Sequence, residues 1–443
     1  MRQLAPARAL AALTFAVALG CSGSSRNPPG GASDLIGSGD ASGDAAAFTE
    51  APHGPLPQLK YQGGPLLLAP KVVTVTFDGD ANASALQAFG DTIVASTWWA
   101  AVTAAFCNGA DACIGQGSSG GHVELTTPPA ASYTDSTSGG PSSIQEFVSD
   151  EIASGAFPAP DANTLYVIYF PASTTITLGE GSDESGTSCQ QFGGYHNSVV
   201  ASGGAAPTAY AVIPECAPRQ GSNLDPVQSL TFAASHEIVE AASDPVQTTT
   251  TLGYYLDLGD ETVLGWDLVS GGEAADLCVD VTGLHQDETT ADGYAVQRIW
   301  SNANAASGID PCIPVPAGDV YFNVAPEGTS TFIVLEVGQS ATFEADAFST
   351  EAMASWTLGG VDWATALKEV NDPLLTFTFN GEKSVLVNNG DRVQITVTLD
   401  ADPGQLGGAD GLLLSTAGPA AAPTAAHLWP ILVVTPDEAT GGS

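Results

Sequence analysis

Residues 235–245, SHEIVEAASDP, hold one histidine and three carboxylates within nine positions. On a helix, residues four apart lie about 40° apart around the axis, so His236 and Glu240 face the same way. Glu237 lies beside them, about 100° round. This spacing follows the H-E-x-x-H zinc helix, in which two residues one turn apart hold the metal and the glutamate takes a proton from the attacking water. We therefore predict that His236 and Glu240 bind a metal ion and that Glu237 is the general base.

A third ligand must come from elsewhere, and residues 272–278 offer two acidic side chains. Glu273 is the first choice as ligand, with Asp276 orienting His236 through its other ring nitrogen, which would fix the tautomer. Asp276 as the ligand is the second choice. His196 is the third.

The competing interpretation is an acidic helix that contains a histidine by chance. The chain has only six histidines, so a chance occurrence of one at this position of the motif is less expected. The helix is otherwise rich in alanine and apolar, so its two glutamates are not part of a solvated charge run. Burying both without a cation or strong hydrogen bonds would be costly. These points favour a metal site.

Zn²⁺ is the first expectation for the cofactor. A ligand set of one imidazole and two carboxylates would leave Zn²⁺ close to neutral, and a less positive metal lowers the pKa of its water less. Oxygen-rich sites also suit harder ions, so Ca²⁺ or Mn²⁺ is the alternative. A purely structural metal is also left open.

The elements that must position this helix precede it. Asp225 followed by Pro226 predicts the helix start, and Pro245 predicts its end near Asp244. The preceding pattern predicts strands at 72–77, 123–126, 164–170 and 210–213, one long helix at 86–106, and a helix opened by a capping box at 143–152. This order of strands and helices is typical of a zincin, where a mixed sheet packs against the metal helix.

Residues 314–318 are predicted to form a linker, and short apolar strands recur after it. They are predicted at 320–324, 331–337, 341–347, 374–379, 384–387, 393–399, 412–415 and 428–434. Such a series is typical of a β-sandwich, here Ig-like. It carries no catalytic cluster, so we expect a spacer or binding module. The predicted fold class is α+β, with a metal-binding domain at 53–315 and a sandwich at 316–443.

The N-terminus is typical of an export signal. Arg2 and Arg8 precede an apolar run at 9–19 that is too short to span a bilayer as a helix. The run leads into a lipobox-like sequence ending at Cys21, which predicts a lipoprotein-type signal peptide at 1–21 and lipidation of that cysteine. The alternative is an ordinary signal peptide and a secreted protein. Residues 22–52 are mostly small or polar and predict a disordered linker.

Six cysteines remain after Cys21, an even count that implies disulfides in an exported chain. Pairing in sequence order would close short loops, and we predict the pairs Cys107–Cys113, Cys189–Cys216 and Cys278–Cys312. None has Cys-x-x-Cys spacing, which argues against a thiolate metal site.

The charge balance is strongly acidic, with 49 acids against 10 bases and a net charge of −39. Nucleic acid is excluded as a partner, because binding a phosphate backbone needs a patch of Lys and Arg. Anionic membrane surfaces are disfavoured for the same reason. The acidity fits solubility outside the cell.

From about residue 60 to 278, roughly half the chain, the sequence resembles the EXORDIUM/phosphate-induced proteins of plants and their secreted bacterial relatives. The stretches that carry the resemblance are 71–77, 165–170, 194–196, 210–216, His236-Glu237-x-x-Glu240 with Asp244-Pro245, Gly265-Trp266 and 273–278. The resemblance implies an extracellular or cell-surface protein with a zincin-like core. It does not imply a defined reaction.

Two functional hypotheses follow. The first is a surface-anchored, metal-dependent hydrolase, with a zinc metallopeptidase acting on a peptide or a cell-surface polymer as the first choice. The second is a non-catalytic cell-surface or matrix-binding protein with a structural or vestigial metal site. Both place the protein outside the cytoplasm, lipid-anchored at the outer membrane or cell surface, or secreted.

Overall fold

A computed structural model describes residues 48–109, 112–135, 143–178, 186–200, 206–246, 252–328, 331–420 and 422–440. The predicted signal peptide, Cys21 and residues 22–47 of the predicted linker lie outside these ranges. The described chain is a mixed α+β structure, as predicted. Among the described residues, no helix has the length and apolarity to cross a membrane.

The strands before residue 314 are β1 Leu59–Tyr61, β2 Lys71–Phe77, β3 Ser118–Leu125, β4 Ser132–Asp135, β5 Thr164–Phe170, β6 Thr175–Leu178, β7 Gly186–Thr187, β8 Tyr195–Val199, β9 Thr208–Pro214, β10 Tyr254–Leu256, β11 Glu288–Ala291, β12 Tyr294–Gln297, β13 Ile299–Trp300 and β14 Cys312–Ile313. The α-helices of this region are α1 Ala83–Thr92, α2 Thr97–Thr103, α3 Ile144–Ser154, α4 Pro226–Ser243, α5 Leu264–Ser270 and α6 Asn302–Ala306. Short 3₁₀ turns occur at Ile93–Ala95, Glu261–Val263 and Asp276–Cys278.

The central sheet has the order β3-β2-β5-β9-β8. Its first four strands run parallel, and the edge strand β8 is antiparallel to β9. Side chains alternate between the two faces of a strand. One face packs against α1, α2 and α4, and the other against α3. Because both faces are covered, β5 is buried along its whole length, which explains its unbroken apolar sequence.

Helix α4 begins where the sequence predicted. The Asp225 carboxylate accepts from the Gln228 backbone N–H, and the Gln228 side chain accepts in return from the Asp225 backbone N–H, both at 2.9 Å. Pro226 occupies the first turn, where its missing N–H costs nothing. This reciprocal cap fixes the helix start and therefore the direction in which its polar residues point.

Two helix predictions were wrong in detail. The long helix expected at 86–106 is broken, because Ser96 is extended and its hydroxyl accepts from the Trp99 N–H to start α2. The capping box expected at Ser143 does not form, since that side chain makes no cap hydrogen bond. A hydroxyl that caps a new turn competes with the continuing helix, which apolar spacing alone does not reveal.

After residue 320 the strands are β15 Phe322–Pro326, β16 Phe332–Val334, β17 Ser340–Ser349, β18 Trp356–Asp362, β19 Leu375–Phe379, β20 Ser384–Val387, β21 Arg392–Leu399, β22 Ala409–Ala417 and β23 Ala425–Val434, with helices α7 Trp363–Ala366 and α8 Pro436–Thr440 and a 3₁₀ turn at Gly404–Leu406. They form a four-stranded sheet, β15-β17-β21-β19, and a five-stranded sheet, β16-β23-β22-β18-β20.

Strand β18 was not predicted from the sequence, because two adjacent glycines interrupt its apolar pattern. Gly360 lies against the Phe377 ring of β19, and a Cβ at this position would lie 2.5 Å from the ring Cγ. The missing side chain therefore allows close approach between the two sheets.

The two regions share one continuous apolar core. The Trp266 ring of α5 packs edge-on against Trp429 of β23, with ring centroids 5.7 Å apart. Residues 48–52, expected to belong to the flexible linker, instead contact the C-terminal sheets: the Ala51 N–H donates to Asn389 Oδ1 at 2.9 Å. The His53 ring stacks on Phe348 at 3.6 Å.

The predicted disulfide pairing is confirmed, with Cys107–Cys113, Cys189–Cys216 and Cys278–Cys312 all joined. Three disulfides indicate an oxidising compartment, in agreement with export.

Candidate functional site

Helix α4 brings the three motif residues to one buried place. Its apolar residues Leu230, Ala234 and Ile238 pack into the core. The same helix also buries Glu237 and Glu240, whose exposed fractions are only 5% and 2%. Carboxylates this deeply buried require strong partners.

His236 is held between two sets of oxygens. Its Nε2 lies 2.9 Å from Glu240 Oε2 and 3.3 Å from Asp276 Oδ1. Its Nδ1 lies 2.8 Å from Gln297 Oε1. The Gln297 amide nitrogen donates to the Ala275 carbonyl, which leaves the amide oxygen as the acceptor for Nδ1–H. In the neutral imidazole, the lone pair on Nε2 therefore faces Glu240 and Asp276.

Glu240 is fixed by the backbone of the turn opposite. Its Oε1 accepts from the Ala275 and Asp276 backbone N–H groups, both at 3.0 Å. This leaves Oε2 to face His236 Nε2.

His196 on edge strand β8 joins the site from the other side and is only 3% exposed. Its Nε2 lies 3.1 Å from the Asp244 carbonyl oxygen and 3.7 Å from Glu273 Oε1. Its Nδ1 lies 3.4 Å from Glu237 Oε2 and 3.8 Å from Glu240 Oε2. A carbonyl oxygen only accepts, so Nε2 carries the hydrogen and the neutral ring directs its lone pair from Nδ1 toward the helix carboxylates.

The structure brings the predicted general base and all the predicted metal ligands together, and it places Asp276 and Glu273 beside different histidines. Asp276, our second choice as ligand, lies with His236 and Glu240 in one group of metal-binding geometry. Glu273, our first choice, lies beside Nε2 of His196 instead. The orienting partner of His236 is Gln297 and not Asp276.

The donor atoms are spaced much as the ligands of a metal ion are, for which zinc gives the reference distances. Ligands about 2.0–2.2 Å from a tetrahedral zinc ion lie roughly 3.3–3.6 Å apart. The separations of 2.9 and 3.3 Å around His236 Nε2 are close to this spacing. The residues therefore fit a metal ion with little movement.

The electrostatics show how strongly the cluster attracts positive charge. Burial alone would lower the pKa of His236, but the Glu240 and Glu237 carboxylates outweigh it and hold this pKa well above its usual value. Burial likewise opposes protonation of His196, yet the hydrogen bond with Glu237 and the charge of Glu240 raise its pKa. Burial and the Glu240 charge raise the pKa of Asp276 to about 7. Any metal ion that binds here would displace protons from this cluster, and its affinity would depend on pH.

Two glycines make room for the carboxylates. A Cβ at Gly194 would lie 2.8 Å from Glu237 Oε1. A Cβ at Gly271 would lie 2.2 Å from Asp276 Oδ2, and the left-handed φ of +99° at this glycine also disfavours other residues.

A cleft with a cavity volume of ≈ 230 Å³ opens onto the cluster. Its walls combine polar groups with apolar side chains, including Phe192, Leu224, Phe232, Val281 and Trp363. Trp363 comes from the C-terminal region, which therefore contributes to the cleft. The Cys189–Cys216 disulfide joins the loop before β8 to the end of β9, two segments of this wall.

A second acidic group on the cleft is already paired with an arginine. His285, Asp287 and Glu288 lie close enough together to hold a metal. However, Arg219 makes paired contacts with Asp287 at 2.8 and 2.9 Å and with Glu288 at 3.0 Å. The partners described for Glu237, Glu240 and Asp276 in the α4 cluster are histidines and backbone N–H groups instead.

Sequence reasoning missed Gln297 and Trp363, and it ranked His196 last. Gln297 ends β12 within an ordinary strand pattern, and Trp363 lies about 120 residues beyond the motif. No local spacing could connect either of them to α4. The stretch Gly194-Tyr195-His196 was the one available signal, through the family resemblance.

No protein-family model matches the chain, and no curated protein matches it. Among solved structures, one match is domain 1 of VCBP3 from Branchiostoma floridae, at 7% identity and a TM-score of 0.18, covering 27% of this chain and 99% of that one. A similarity this low carries no inference about fold or function.

Proposed function

We propose that this protein is an exported, metal-dependent hydrolase, with a zinc metallopeptidase as the first choice. The observation that carries the proposal is the orientation of His236. Gln297 occupies its Nδ1, so the neutral ring directs Nε2 at the buried carboxylates of Glu240 and Asp276. This is the arrangement in which a partner on the far nitrogen orients a metal-ligating histidine.

His236, Glu240 and Asp276 would hold the ion, and a bound zinc ion would polarise a carbonyl and acidify a water molecule. Glu237 borders this position, with Oε1 3.9 Å from His236 Nε2. Its carboxylate faces the cleft and is placed to accept a proton from an attacking water. Phe192 and Phe232 line the same cleft and give part of its wall an apolar character.

We also propose that the central sheet and α4 form a zincin-like core related to the EXORDIUM-like proteins. Support comes from the stretches that carry the resemblance: His196, the α4 motif, Glu273 and Asp276 all meet at one cluster. Lipid anchoring through Cys21 belongs to the same proposal.

For the C-terminal region we propose an Ig-like sandwich. If β15, β17, β18, β19, β21, β22 and β23 are labelled A to G, one sheet has the order A-B-E-D and the other contains G-F-C, as in immunoglobulin domains. Strand β20 extends the second sheet beyond C, but it follows D in the chain.

The test is Glu237→Gln, with metal content and hydrolysis of a broad peptide panel measured together. Removing the base should lower hydrolysis by about 10²–10⁴-fold while an ion stays bound at His236. Glu124→Ala, on the exposed part of β3, is the matched control and should hydrolyse normally. Absence of bound metal in the parent protein would end the proposal.

The second candidate is a non-catalytic binding protein with a structural metal. The carboxylate-rich donor set favours it, because two carboxylate ligands make a bound zinc ion less acidifying and also suit Ca²⁺ or Mn²⁺. Full metal occupancy, with no hydrolysis of any peptide or cell-surface polymer by the parent protein, would support this candidate.

A further inference from the structure

We propose that the site binds two divalent cations rather than one. The first lies at His236, Glu240 and Asp276, as proposed above. The second lies between His196, Glu237 and Glu240, whose ligand atoms are all within 4.8 Å of one another. The two sets share Glu240, but neither contains both histidines. The inference rests on the proposed function for the first ion and adds a separate position.

The orientation of His196 is the first argument. Its Nε2 faces two acceptors, the Asp244 carbonyl oxygen at 3.1 Å and Glu273 Oε1 at 3.7 Å. The ring hydrogen of the neutral form therefore belongs on Nε2. Its Nδ1 then presents a lone pair to Glu237 Oε2 at 3.4 Å. A lone pair and a carboxylate oxygen repel each other unless a cation, either a proton or a metal ion, lies between them, so this nitrogen is directed at a position that favours positive charge.

The surroundings of His196 repeat those of His236. In both cases a partner outside the ligand set holds the far nitrogen, which is Gln297 for one ring and the Asp244 carbonyl for the other. Such partners fix the tautomer and ring direction of metal-binding histidines. The same arrangement occurs twice, for His236 on α4 and for His196 on β8. The two rings approach Glu240 from different sides.

Glu240 is placed to bridge the two ions. Its Oε1 is held by two backbone N–H groups. Its Oε2 lies 2.9 Å from His236 Nε2 and 3.8 Å from His196 Nδ1. One oxygen shared in this way suits ions about 3.5–4 Å apart, the usual separation in two-metal sites.

The charge count supports a second cation. Five buried or partly buried carboxylates, Glu237, Glu240, Asp244, Glu273 and Asp276, lie around the two histidines. When all are ionised, one divalent ion offsets two of these five charges, and the negative charge that remains is costly in a buried place. A second divalent ion offsets two more. Glu237 Oε2 faces His196 and belongs to the second position, which leaves Oε1, the oxygen nearer His236, as the proton acceptor of the proposed reaction.

The test is metal stoichiometry of the full exported chain. The protein is stripped with a chelator, dialysed against Zn²⁺, desalted, and measured by elemental analysis. We expect two ions per chain in the parent and one in His196→Ala. His122→Ala is the matched control, because this histidine lies on exposed β3 beside Asp91, and it should keep two ions.

One ion in the parent, unchanged in His196→Ala, would overturn the second position and leave the proposed function standing. No ion in the parent would overturn both. If His196→Ala does not fold, the parent loaded with Mn²⁺ decides the question by electron paramagnetic resonance. An exchange-coupled pair is expected, and the spectrum of isolated ions would contradict the inference.

Discussion

The region around α4 and the C-terminal sheets bury polar groups in different ways. Near α4, several ionisable side chains are buried in contact with one another: His196, Glu237, Glu240, Asp244 and Glu273. In the described part of the C-terminal sheets, Asp410 is the one buried acidic side chain, and the space between the sheets is largely filled by apolar residues such as Phe348, Trp356 and Ile395.

This difference indicates that the C-terminal sheets contribute mainly to stability and the region around α4 to function. Apolar side chains stabilise a core when they are buried, and they need no hydrogen-bond or ion-pair partner there. A cluster of buried carboxylates costs free energy unless cations or hydrogen bonds compensate it. The region around α4 carries this cost, which is why we place the chemistry there and assign the C-terminal sheets a supporting role, including the Trp363 wall of the cleft.

Removing Glu240 should have the largest effect. Glu240→Ala takes away the carboxylate common to both proposed ion positions. We expect bound metal to be lost and hydrolysis to fall by more than about 100-fold. A loss of about 100-fold is the most expected when only a residue that orients a ligand is removed, and Glu240 is proposed to be a ligand itself. Elemental analysis and a peptide assay would check this, with Glu124→Ala as control. If the variant retained both metal and activity, the α4 cluster would not be the site of the function.

A core truncation in the C-terminal sheets should show the opposite profile. Ile395 is fully buried on β21, and Ile395→Ala should lower the free energy of unfolding by about 2–5 kcal/mol. Urea denaturation would measure this. Metal stoichiometry of the folded variant should be unchanged, and loss of metal would show that the two regions are not separable.

Gln297→Ala should weaken the site without emptying it. Without the amide that holds Nδ1, His236 loses its fixed tautomer, and Zn²⁺ affinity should fall by about 10–100-fold. Competition with a chelating dye would measure the affinity. Gln394→Ala, at an exposed position of β21, is the matched control. Equal affinities for the two variants would contradict the orienting role of Gln297.

The smallest expected effect is a pH dependence in the C-terminal region. His427 packs edge-on against Tyr321 and Phe322, and burial lowers its pKa from 6.5 to about 4. Between pH 6.5 and about pH 4, the His427 imidazole binds a proton in the unfolded chain but not in the folded chain. Stability from this group is therefore complete above its unfolded pKa and is lost as the pH falls toward 4.

Comparison of the parent with His427→Leu isolates this contribution. Between pH ~7.5 and pH ~5.5, the parent should lose about 1 kcal/mol more stability than the variant. Urea denaturation at both pH values would measure it. The raised pKa values of His196 and His236 act in the opposite direction, but they are common to both proteins. Identical losses would show that His427 titrates normally when folded.

Much of the fold was predictable where the signals are local. Asp225, Pro226 and Pro245 fixed the ends of α4, and the apolar run of β5 was predicted to the residue. The break at Ser96 was missed because a side-chain cap overrode helical spacing. Strand β18 was missed because its Gly360 is explained only by Phe377, which lies on another strand.

The sequence by itself determined that His236, Glu237 and Glu240 share a helix face, because helical geometry fixes the direction of residues three and four apart. It also determined that the six cysteines outside the signal region would pair. Only the tertiary structure decided that Asp276 faces His236 while Glu273 faces His196, and that Gln297 orients the ring. These partners come from separate segments of the chain. Their contacts depend on how the sheet, α4 and the turn before Cys278 pack together, which no local spacing encodes.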